Sequence, residues 1–397
     1  MLGVAIIGIG WSGFRPATPD LSYRELTYEA AVRAYRDARV EPKEIQSFVT
    51  CAEDFLEGTS IFDEYTPDQM GAVLKPMHTV TADGLFGIAA AVMQIETGLF
   101  ELVAVEAHSK ASNIETVDEV VRYALDPILT RPLGEHPHFV AGLEMQCYLH
   151  EGGSRKGGRY GGGRKACAAV VSKNRENAID NPMASYGAVL SIDDVLASEP
   201  IFDPLTRADV AATTDGAVVV VLASKRYAEA HRDRAVAIEG IGWCSDSPSL
   251  ENRDWESSNA TREAARRAYR LAGIDNPEGA IGFAELDDSF SYKELQHLEA
   301  LGLCRAGEAA ALTLDGVTRR SGRIPVNPSG GCLGVGYALE AAGLQRIVEA
   351  VSQLRGEAGR RQLSLGNGRP SRALVHSWRG IPTTSCAVAV LARAGRA

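Results

Sequence analysis

The amino-acid sequence predicts an α/β protein built from two similar halves. The chain has 397 residues, of which 45% are hydrophobic and 23% charged, so it can bury more core than one ordinary domain needs. Segments of strand and helix character alternate along most of it, which is typical of mainly parallel sheets covered by helices. A repeated octapeptide followed by a repeated helix indicates that this alternation was duplicated.

The repeat opens each half. Residues 4–11 (VAIIGIGW), a predicted buried strand, recur as residues 236–243 (VAIEGIGW). A predicted helix follows in each half, at residues 28–38 and at residues 262–272, with matching positions in the same order. One matched octapeptide could arise by chance, whereas two matched elements in order are strong evidence of duplication. The next predicted strands lie at residues 45–50 and 280–285.

The later elements fit the same plan. We predict a helix at 84–98 and a strand at 102–107 in the first half, and a helix at 336–354 with closing strands at 374–376 and 385–393 in the second.

Residues 111–211 have no counterpart in the second half and are predicted to form an inserted subdomain. Within it, the glycine-rich and basic residues 152–164 predict a flexible surface loop, with a phosphate-binding lid as the alternative. The predicted domains are therefore 1–235, which includes the insertion 111–211, and 236–397.

Charge and cysteine usage exclude several classes of protein. The formal net charge is −10, which argues against a general nucleic-acid binder or a polybasic membrane binder. No apolar run reaches the ~18 residues of a membrane span, and the first residues lack the features of a signal peptide. The seven cysteines are scattered and form no C-x-x-C pair, so we expect no zinc site and no disulfide framework. A reducing cytoplasm is the predicted location.

Four segments carry motifs that belong together. They are DPL at residues 203–205 with TDGA at 214–217, ELDDSF at 285–290, GLC at 302–304 with IPVNPSGG at 324–331, and GYA at 336–338 leading into residues 353–359. Together they resemble the thiolase superfamily, in the branch of archaeal thiolases and sterol-carrier-protein thiolases. The resemblance covers nearly the whole chain. It implies the thiolase fold, a duplicated α-β-α-β-α arrangement of five layers with an inserted loop domain.

The residues that would make this chain a thiolase are replaced. Thiolases acylate a cysteine in a C-A-S-G motif at a helix N-terminus, and that motif falls here on residues 81–84, TADG. Asp83 is predicted to be a helix N-cap. The second family cysteine is also missing, because its sterol-carrier position holds Ser289 and its carboxy-terminal position falls near residues 376–380. Cysteine-based thiolytic or Claisen chemistry is therefore not expected. Cys332, in the glycine-rich segment, is predicted to be a small buried residue.

Two further motif positions point to another chemistry. The histidine of the family's GHP motif is Tyr337 here, and the histidine of its HDAF motif is Asp287. This pattern resembles more closely the cysteine-less steroid side-chain-cleaving aldolases of the lipid-transfer-protein type. Those aldolases have tyrosine at both positions, so Tyr337 matches and Asp287 departs. The resemblance implies retro-aldol cleavage of a β-hydroxyacyl-CoA with a steroid-like side chain, giving a ketone and a shorter acyl-CoA.

Three residues are candidates for this catalysis. Tyr337 and Asp287 can supply a hydrogen-bond donor and a base, and His376 a base or an orienting group. Which of them is base and which is acid stays open. Each also has a structural interpretation, such as a backbone hydrogen bond for Asp287 or a buried core position for His376.

The resemblance also implies binding partners. Ser329, Gly330 and Gly331 are predicted to let the pantetheine of acyl-CoA approach the backbone, with helix-to-sheet packing as the alternative or additional reason for the glycines. No cofactor or metal is expected beyond coenzyme A in the substrate. The expected partner is a small zinc-ribbon and OB-fold protein of the DUF35 family on a homodimeric core, as α2β2. The alternatives are a non-catalytic scaffold subunit of a thiolase-like complex and a cysteine-free thiolase-type acyltransferase.

Overall fold

The computed structural model describes residues 2–53, 62–114, 117–134, 136–154, 163–365, 368–381 and 384–393. In chain order, the strands in these ranges are β1 Val4–Arg15, β2 Ser47–Cys51, β3 Met77–Val80, β4 Leu102–Ser109, β5 Pro200–Phe202, β6 Leu205–Thr206, β7 Asp215–Ser224, β8 Val236–Ser245, β9 Phe283–Glu285, β10 Arg372–Gly380 and β11 Thr384–Arg393. The helices are α1 Tyr23–Ala38, α2 Phe62–Tyr65, α3 Pro67–Met70, α4 Gly84–Glu96, α5 Val117–Arg122, α6 Pro137–Ser154, α7 Gly163–Ala178, α8 Ile192–Leu196, α9 Lys225–Ala228, α10 Asn259–Ala272, α11 Pro277–Ala280, α12 Ser291–Ala300, α13 Ala309–Leu314, α14 Gly331–Val335 and α15 Ala342–Arg355.

The main sheet has nine strands and repeats one strand order in its two parts. The order across it is β3-β2-β4-β7-β1-β8-β11-β10-β9. From the centre outwards, β1 is followed by β7, β4 and β2, and β8 by β11, β10 and β9, with two antiparallel pairings and then a parallel one on each side. Only two residue pairs join β1 to β8, Ala5 with Ala237 and Ile6 with Val236. The domain boundary after residue 235 stays a prediction, although β8 begins at Val236.

The repeated octapeptide packs in the same way in both parts. A Cβ at Gly10 would lie 2.2 Å from the carbonyl oxygen of Ala30 in α1, and a Cβ at Gly242 would lie 2.2 Å from that of Ala264 in α10. Glycine is therefore needed at both positions, because each strand approaches the backbone of its covering helix.

Helices α4 and α15 form the central layer, since each contacts strands of both parts of the sheet. They meet at their N-termini through Asp83, which confirms its predicted cap. Its carboxylate accepts the backbone N–H of Leu85 at 2.8 Å and that of Gly343 at 2.9 Å. With α1 and α10 on the outer faces, the layers are those of the predicted thiolase fold.

The insertion is built into the second half rather than standing apart. Helix α7 buries Ala166, Cys167, Val170 and Val171 in the same core cluster as α10 and α12. Of the predicted loop at 152–164, residues 155–162 lie outside the described residues. Within the described ranges, no helix is long and apolar enough to cross a membrane.

The predicted helix at 336–354 is wrong in its first turn and a half. Helix α15 starts at Ala342, because Gly336 has φ 113° and Leu339 has φ 45°, neither of which continues a helix. Tyr337 is instead bonded to a distant segment: its N–H donates to the Ala212 carbonyl at 2.8 Å, and its carbonyl accepts from Thr214 at 3.1 Å.

Candidate active site

A cavity of about 680 Å³ lies between the insertion and the second half of the chain. Helix α5 supplies one apolar wall through Val117, Val120 and Val121, and Phe290 and Trp378 supply another. Apolar residues make up most of the lining, with polar side chains among them, which is the usual composition of a pocket for a small organic ligand. The polar side chains are those of Glu53, Asp118, Tyr123, His138, Thr213, Ser289, Tyr337 and Arg379.

Tyr337 is the predicted site residue that reaches this cavity. Its backbone is fixed by the two hydrogen bonds to Ala212 and Thr214. In the described part of the chain, no group hydrogen-bonds its hydroxyl. Burial raises the pKa of Tyr337, and the charge of Arg379 only partly offsets this. The side chain is therefore a neutral phenol at physiological pH, able to donate a hydrogen bond to a ligand.

Arg379 brings a charge to the same wall. It is the penultimate residue of β10 and forms ion pairs with Glu340 and Glu53. Glu53 and Arg379 both line the cavity. The sequence places Arg379 near the family's carboxy-terminal cysteine position but does not show its partners, because Glu340 and Glu53 are distant in the chain and become its neighbours only through the fold.

Asp287 lies behind the cavity wall and reaches it through Ser289. Its carboxylate is 1% exposed and accepts an ion-pair hydrogen bond from Arg346 at 2.6 Å. The other carboxylate oxygen accepts the Ser289 hydroxyl at 2.7 Å and the Ser289 N–H at 3.1 Å. Ser289 lines the cavity, whereas Asp287 is not among the described lining residues.

His376 is adjacent to Asp287 because β9 and β10 are parallel neighbours, with Glu285 paired to Val375. Its Nδ1 accepts the Asp287 N–H at 3.4 Å, and its Nε2 lies 3.1 Å from the Thr261 hydroxyl. Burial and the neighbouring His297 hold the pKa of His376 well below its usual value. The ring is wholly buried and is not part of the described cavity lining. The structure thus brings His376 to Asp287 but not to the cavity.

Ser329, Gly330 and Gly331 lie in the interior and have contacts that explain them. The Ser329 hydroxyl and N–H donate to Glu285 at 2.6 and 2.9 Å. A Cβ at Gly330 would lie 2.6 Å from that of Ala178, and one at Gly331 would lie 2.2 Å from the Asp288 carboxylate. These residues are absent from the described cavity lining, so packing accounts for them and their contact with pantetheine stays a prediction.

Buried carboxyl groups surround these glycines. The sequence motifs did not predict how far burial raises the pKa values of these groups. Burial, reinforced by Glu349, raises the pKa of Glu285 to about 8. Burial and the nearby Glu294 raise that of Asp288 to about 7. Asp288 accepts the N–H groups of Cys332 and Leu333 at 2.5 and 3.2 Å, which ties ELDDSF to the glycine-rich segment.

Comparisons with known proteins identify the family. The family described as "Thiolase C-terminal domain-like" matches residues 242–393. Human sterol carrier protein 2 is 30% identical over 376 residues, covering 91% of this chain and 67% of that protein. The chain belongs to the thiolase superfamily. Its branch is that of sterol carrier protein 2, as the sequence motifs predicted.

Two further relatives share this superfamily fold. The acetyl-CoA acetyltransferase of Methanothermobacter thermautotrophicus is 29% identical over 371 residues, covering 91% of this chain and 94% of that protein. The solved structure "Ltp2-ChsH2(DUF35) aldolase" superposes with a TM-score of 0.82 at 24% identity, covering 100% of this chain and 99% of that one. At that identity the superposition supports the fold and not the reaction.

Compared with cysteine-dependent members of the superfamily, this chain offers no usable thiol in the described cavity. Thr81, at the family's nucleophile position, is exposed to solvent and does not line it. Cys332 is 1% exposed and bonded to Arg346 at 2.9 Å, and burial raises the pKa of its thiol well above the usual value. Its predicted role as a small buried residue is confirmed.

Proposed function

We propose that this chain is a carbon–carbon lyase that cleaves a β-hydroxyacyl-CoA by a retro-aldol reaction. The products are a ketone and a shorter acyl-CoA, and the acyl group is bulky and steroid-like. The observation that carries the proposal is Tyr337, a neutral phenol in a largely apolar cavity of about 680 Å³, with a hydroxyl that no described residue hydrogen-bonds. A retro-aldol step needs a hydrogen-bond donor and a base but no nucleophilic thiol.

In the proposed reaction, one proton leaves the β-hydroxyl and one proton is added to Cα. The β-hydroxyl loses its proton, and its oxygen becomes the ketone carbonyl as the Cα–Cβ bond breaks. The electron pair of that bond passes to Cα and is delocalised onto the thioester oxygen as an enolate. Cα then takes up the proton that the β-hydroxyl gave up, which yields the shorter acyl-CoA and returns the protein to its starting protonation state.

The residues at and behind the cavity wall have different roles in these proton transfers. Tyr337 donates to the thioester oxygen as charge develops there. Ser289 accepts the β-hydroxyl proton while passing its own to Asp287, 2.7 Å away. His376 acts one step further back by accepting the Asp287 backbone N–H, so it is a positioning residue.

The test is cleavage of a β-hydroxyacyl-CoA by Tyr337→Phe protein, followed by the ketone and the shorter acyl-CoA. We expect kcat to fall by roughly 10²–10⁴, the usual effect of losing a general acid or base. The matched control is Tyr269→Phe, since that hydroxyl is buried and donates to the Leu301 carbonyl at 2.7 Å, away from the cavity. Unchanged turnover in Tyr337→Phe would contradict the role of Tyr337, and a wild-type chain that cleaves no β-hydroxyacyl-CoA would favour a scaffold role.

A cysteine-free acyltransferase is the second candidate, supported by the likeness to an acetyl-CoA acetyltransferase. The same assay separates the two functions. Transfer of an acyl group to a second CoA thioester, without ketone release, would replace the lyase proposal.

We further propose a partner of the DUF35 type on a homodimeric core, as α2β2, in the cytoplasm. The support is the fold shared with a protein whose structure contains such a partner. Co-expression followed by light scattering on the purified complex measures the stoichiometry. A chain that stays free of the DUF35 protein at micromolar concentration would refute this part alone.

A further inference from the structure

Three side chains of types that commonly bind metal ions lie close together beside the cavity. They have no role in the proposed lyase reaction. Asp118 lies on α5, and His136 and His138 flank Pro137 at the start of α6. The Asp118 carboxylate is 2.9 Å from Nε2 of His136 and 3.9 Å from Nε2 of His138. One donor atom from each residue lies within 4.8 Å of the other two.

These distances suit one small cation. Zinc binds imidazole nitrogen and carboxylate oxygen at about 2.0–2.2 Å, so tetrahedral donors stand roughly 3.3–3.5 Å apart. The distances of 2.9 Å from Oδ2 to His136 and 3.9 Å from Oδ1 to His138 lie on either side of that separation. The two imidazole rings are 4.7 Å apart between centroids at an angle of 61°, which lets both face one point.

The surroundings hold the histidines while leaving an entry path. The ring of His136 stacks on Phe202 at 5.6 Å, and that of His138 meets Phe290 edge-on at 5.6 Å. The side chains of His136, His138 and Asp118 remain 37%, 27% and 49% exposed. Asp118 and His138 also line the cavity that contains Tyr337. Three protein ligands beside an open face are the usual arrangement of a zinc site that takes an exogenous oxygen ligand.

One hydrogen bond opposes metal binding. Nδ1 of His136 accepts the backbone N–H of His138 at 3.1 Å, so the proton of the neutral ring lies on Nε2 and points to Asp118. A cation at Nε2 displaces that proton and requires this backbone bond to open. The loss is a single neutral hydrogen bond on a partly exposed turn, which three metal–ligand bonds outweigh.

We propose that Asp118, His136 and His138 bind one divalent transition-metal ion of the zinc type, with its open position towards the cavity. The site accepts water or an oxygen-bearing group of a bound ligand there. It also links α5 to α6 across the cavity wall. The cysteine pattern alone gave no hint of this site, because its ligands are a carboxylate and two imidazoles. The proposal does not depend on the lyase reaction, since metal binding is measured without substrate.

The experiment uses the full chain without an affinity tag, dialysed against EDTA and then against metal-free buffer. Titration calorimetry with ZnCl₂ and elemental analysis after gel filtration should give one zinc per chain. Asp118→Asn and His138→Gln should each weaken zinc binding by more than about 100-fold, because even outer-shell partners of a metal are worth 10–100-fold. The control is His78→Gln, an exposed histidine whose ring contacts Gln94 at 3.4 Å, and this variant should keep wild-type affinity.

A second readout guards against misfolded variants. Cobalt(II) added to the wild-type chain should give the intense visible absorption of a low-coordinate site, and Asp118→Asn should lose it while its circular dichroism stays unchanged. Wild-type chain that retains no zinc after gel filtration would overturn the proposal. So would zinc binding that both variants leave intact, because the ion would then lie at other surface groups.

Discussion

The carboxylate of Asp287 depends on a guanidinium that lies wholly in the interior. Arg346 is 0% exposed and donates to both Asp287 and Cys332. Its Nε and Nη1 have no hydrogen-bond partner among the described residues. Few other hydrogen bonds therefore support this ion pair. Removing the arginine would leave the buried negative charge of Asp287 without its cation.

We predict that Arg346→Met destabilises the chain by about 3–5 kcal/mol, the usual cost of breaking a buried ion pair from one side. Urea unfolding followed by circular dichroism measures it. Arg319→Met removes the half-exposed pair with Glu176 and should cost no more than about 1 kcal/mol. Equal losses in both variants would contradict the buried-pair interpretation.

For single residues, the sequence predicted which side chains belong to the candidate site better than it predicted where they lie relative to the cavity. Tyr337 and Asp287 follow from departures at motif positions, and the fold places one on the cavity and the other one residue layer behind it. The sequence could not predict that His376 is buried away from the cavity. It depends on the packing of β10 against α10, and its ring lies between Thr261 and His297.

Among the secondary-structure elements, the equivalent strands β1 and β8 should respond alike to the same change. Gly10→Ala and Gly242→Ala each place a Cβ 2.2 Å from a helix carbonyl oxygen, so strand and helix must separate. We predict a loss of about 1–3 kcal/mol in each, the range for overpacking. In the control Gly3→Ala, the nearest atom to the new Cβ is 3.4 Å away, and stability should hardly change. A clear loss in one of the first two variants and none in the other would contradict the equivalence.

The helix pair α4 and α15 should give stability a pH dependence through Asp83. Burial raises the pKa of Asp83 to about 6 from 3.8. A raised folded-state pKa means that this group stabilises the fold below about pH 4 and loses that contribution as pH rises through 6. The shift of about two units corresponds to roughly 3 kcal/mol.

Asp83→Ser keeps an N-cap hydroxyl but removes the titrating group. We predict that unfolding free energy falls less between pH 4 and pH 6 in this variant than in the wild type. Urea titrations at the two pH values measure the difference. The exposed Asp275→Ser serves as control and should keep the wild-type slope. A wild-type slope in Asp83→Ser would assign the pH dependence to other carboxyl groups.

Element order was predictable where local pattern and duplication agreed, as in α1, α10 and the closing strands. The start of α15 was not, because residues 336–341 have helix-compatible side chains. Their backbone is instead directed by Gly336 and by hydrogen bonds to residues 212–214. That competing partner is more than a hundred residues away in the chain, beyond the reach of a periodicity argument.

For the molecule as a whole, thiol accessibility follows from the burial of the core. Of the seven cysteines, Cys147 and Cys244 are partly exposed and the other five are buried. We predict that iodoacetamide at pH 8 labels only these two in the native chain and leaves turnover largely intact. Mass spectrometry of tryptic peptides gives the sites, and labelling in urea gives the full set. Inactivation that tracks labelling of Cys332 would contradict the thiol-free mechanism.

The strand order also has a consequence for synthesis. β1 is made well before both of its neighbours, β7 and β8, because Val4 pairs with Ser224 and Ile6 with Val236. At the usual translation rate of 5–20 residues per second, this strand leaves the ribosome roughly 10–40 s before its partners. During that interval an apolar segment has no sheet to join. The β1 segment is thus exposed to aggregation, and in need of a chaperone, until β7 has been made.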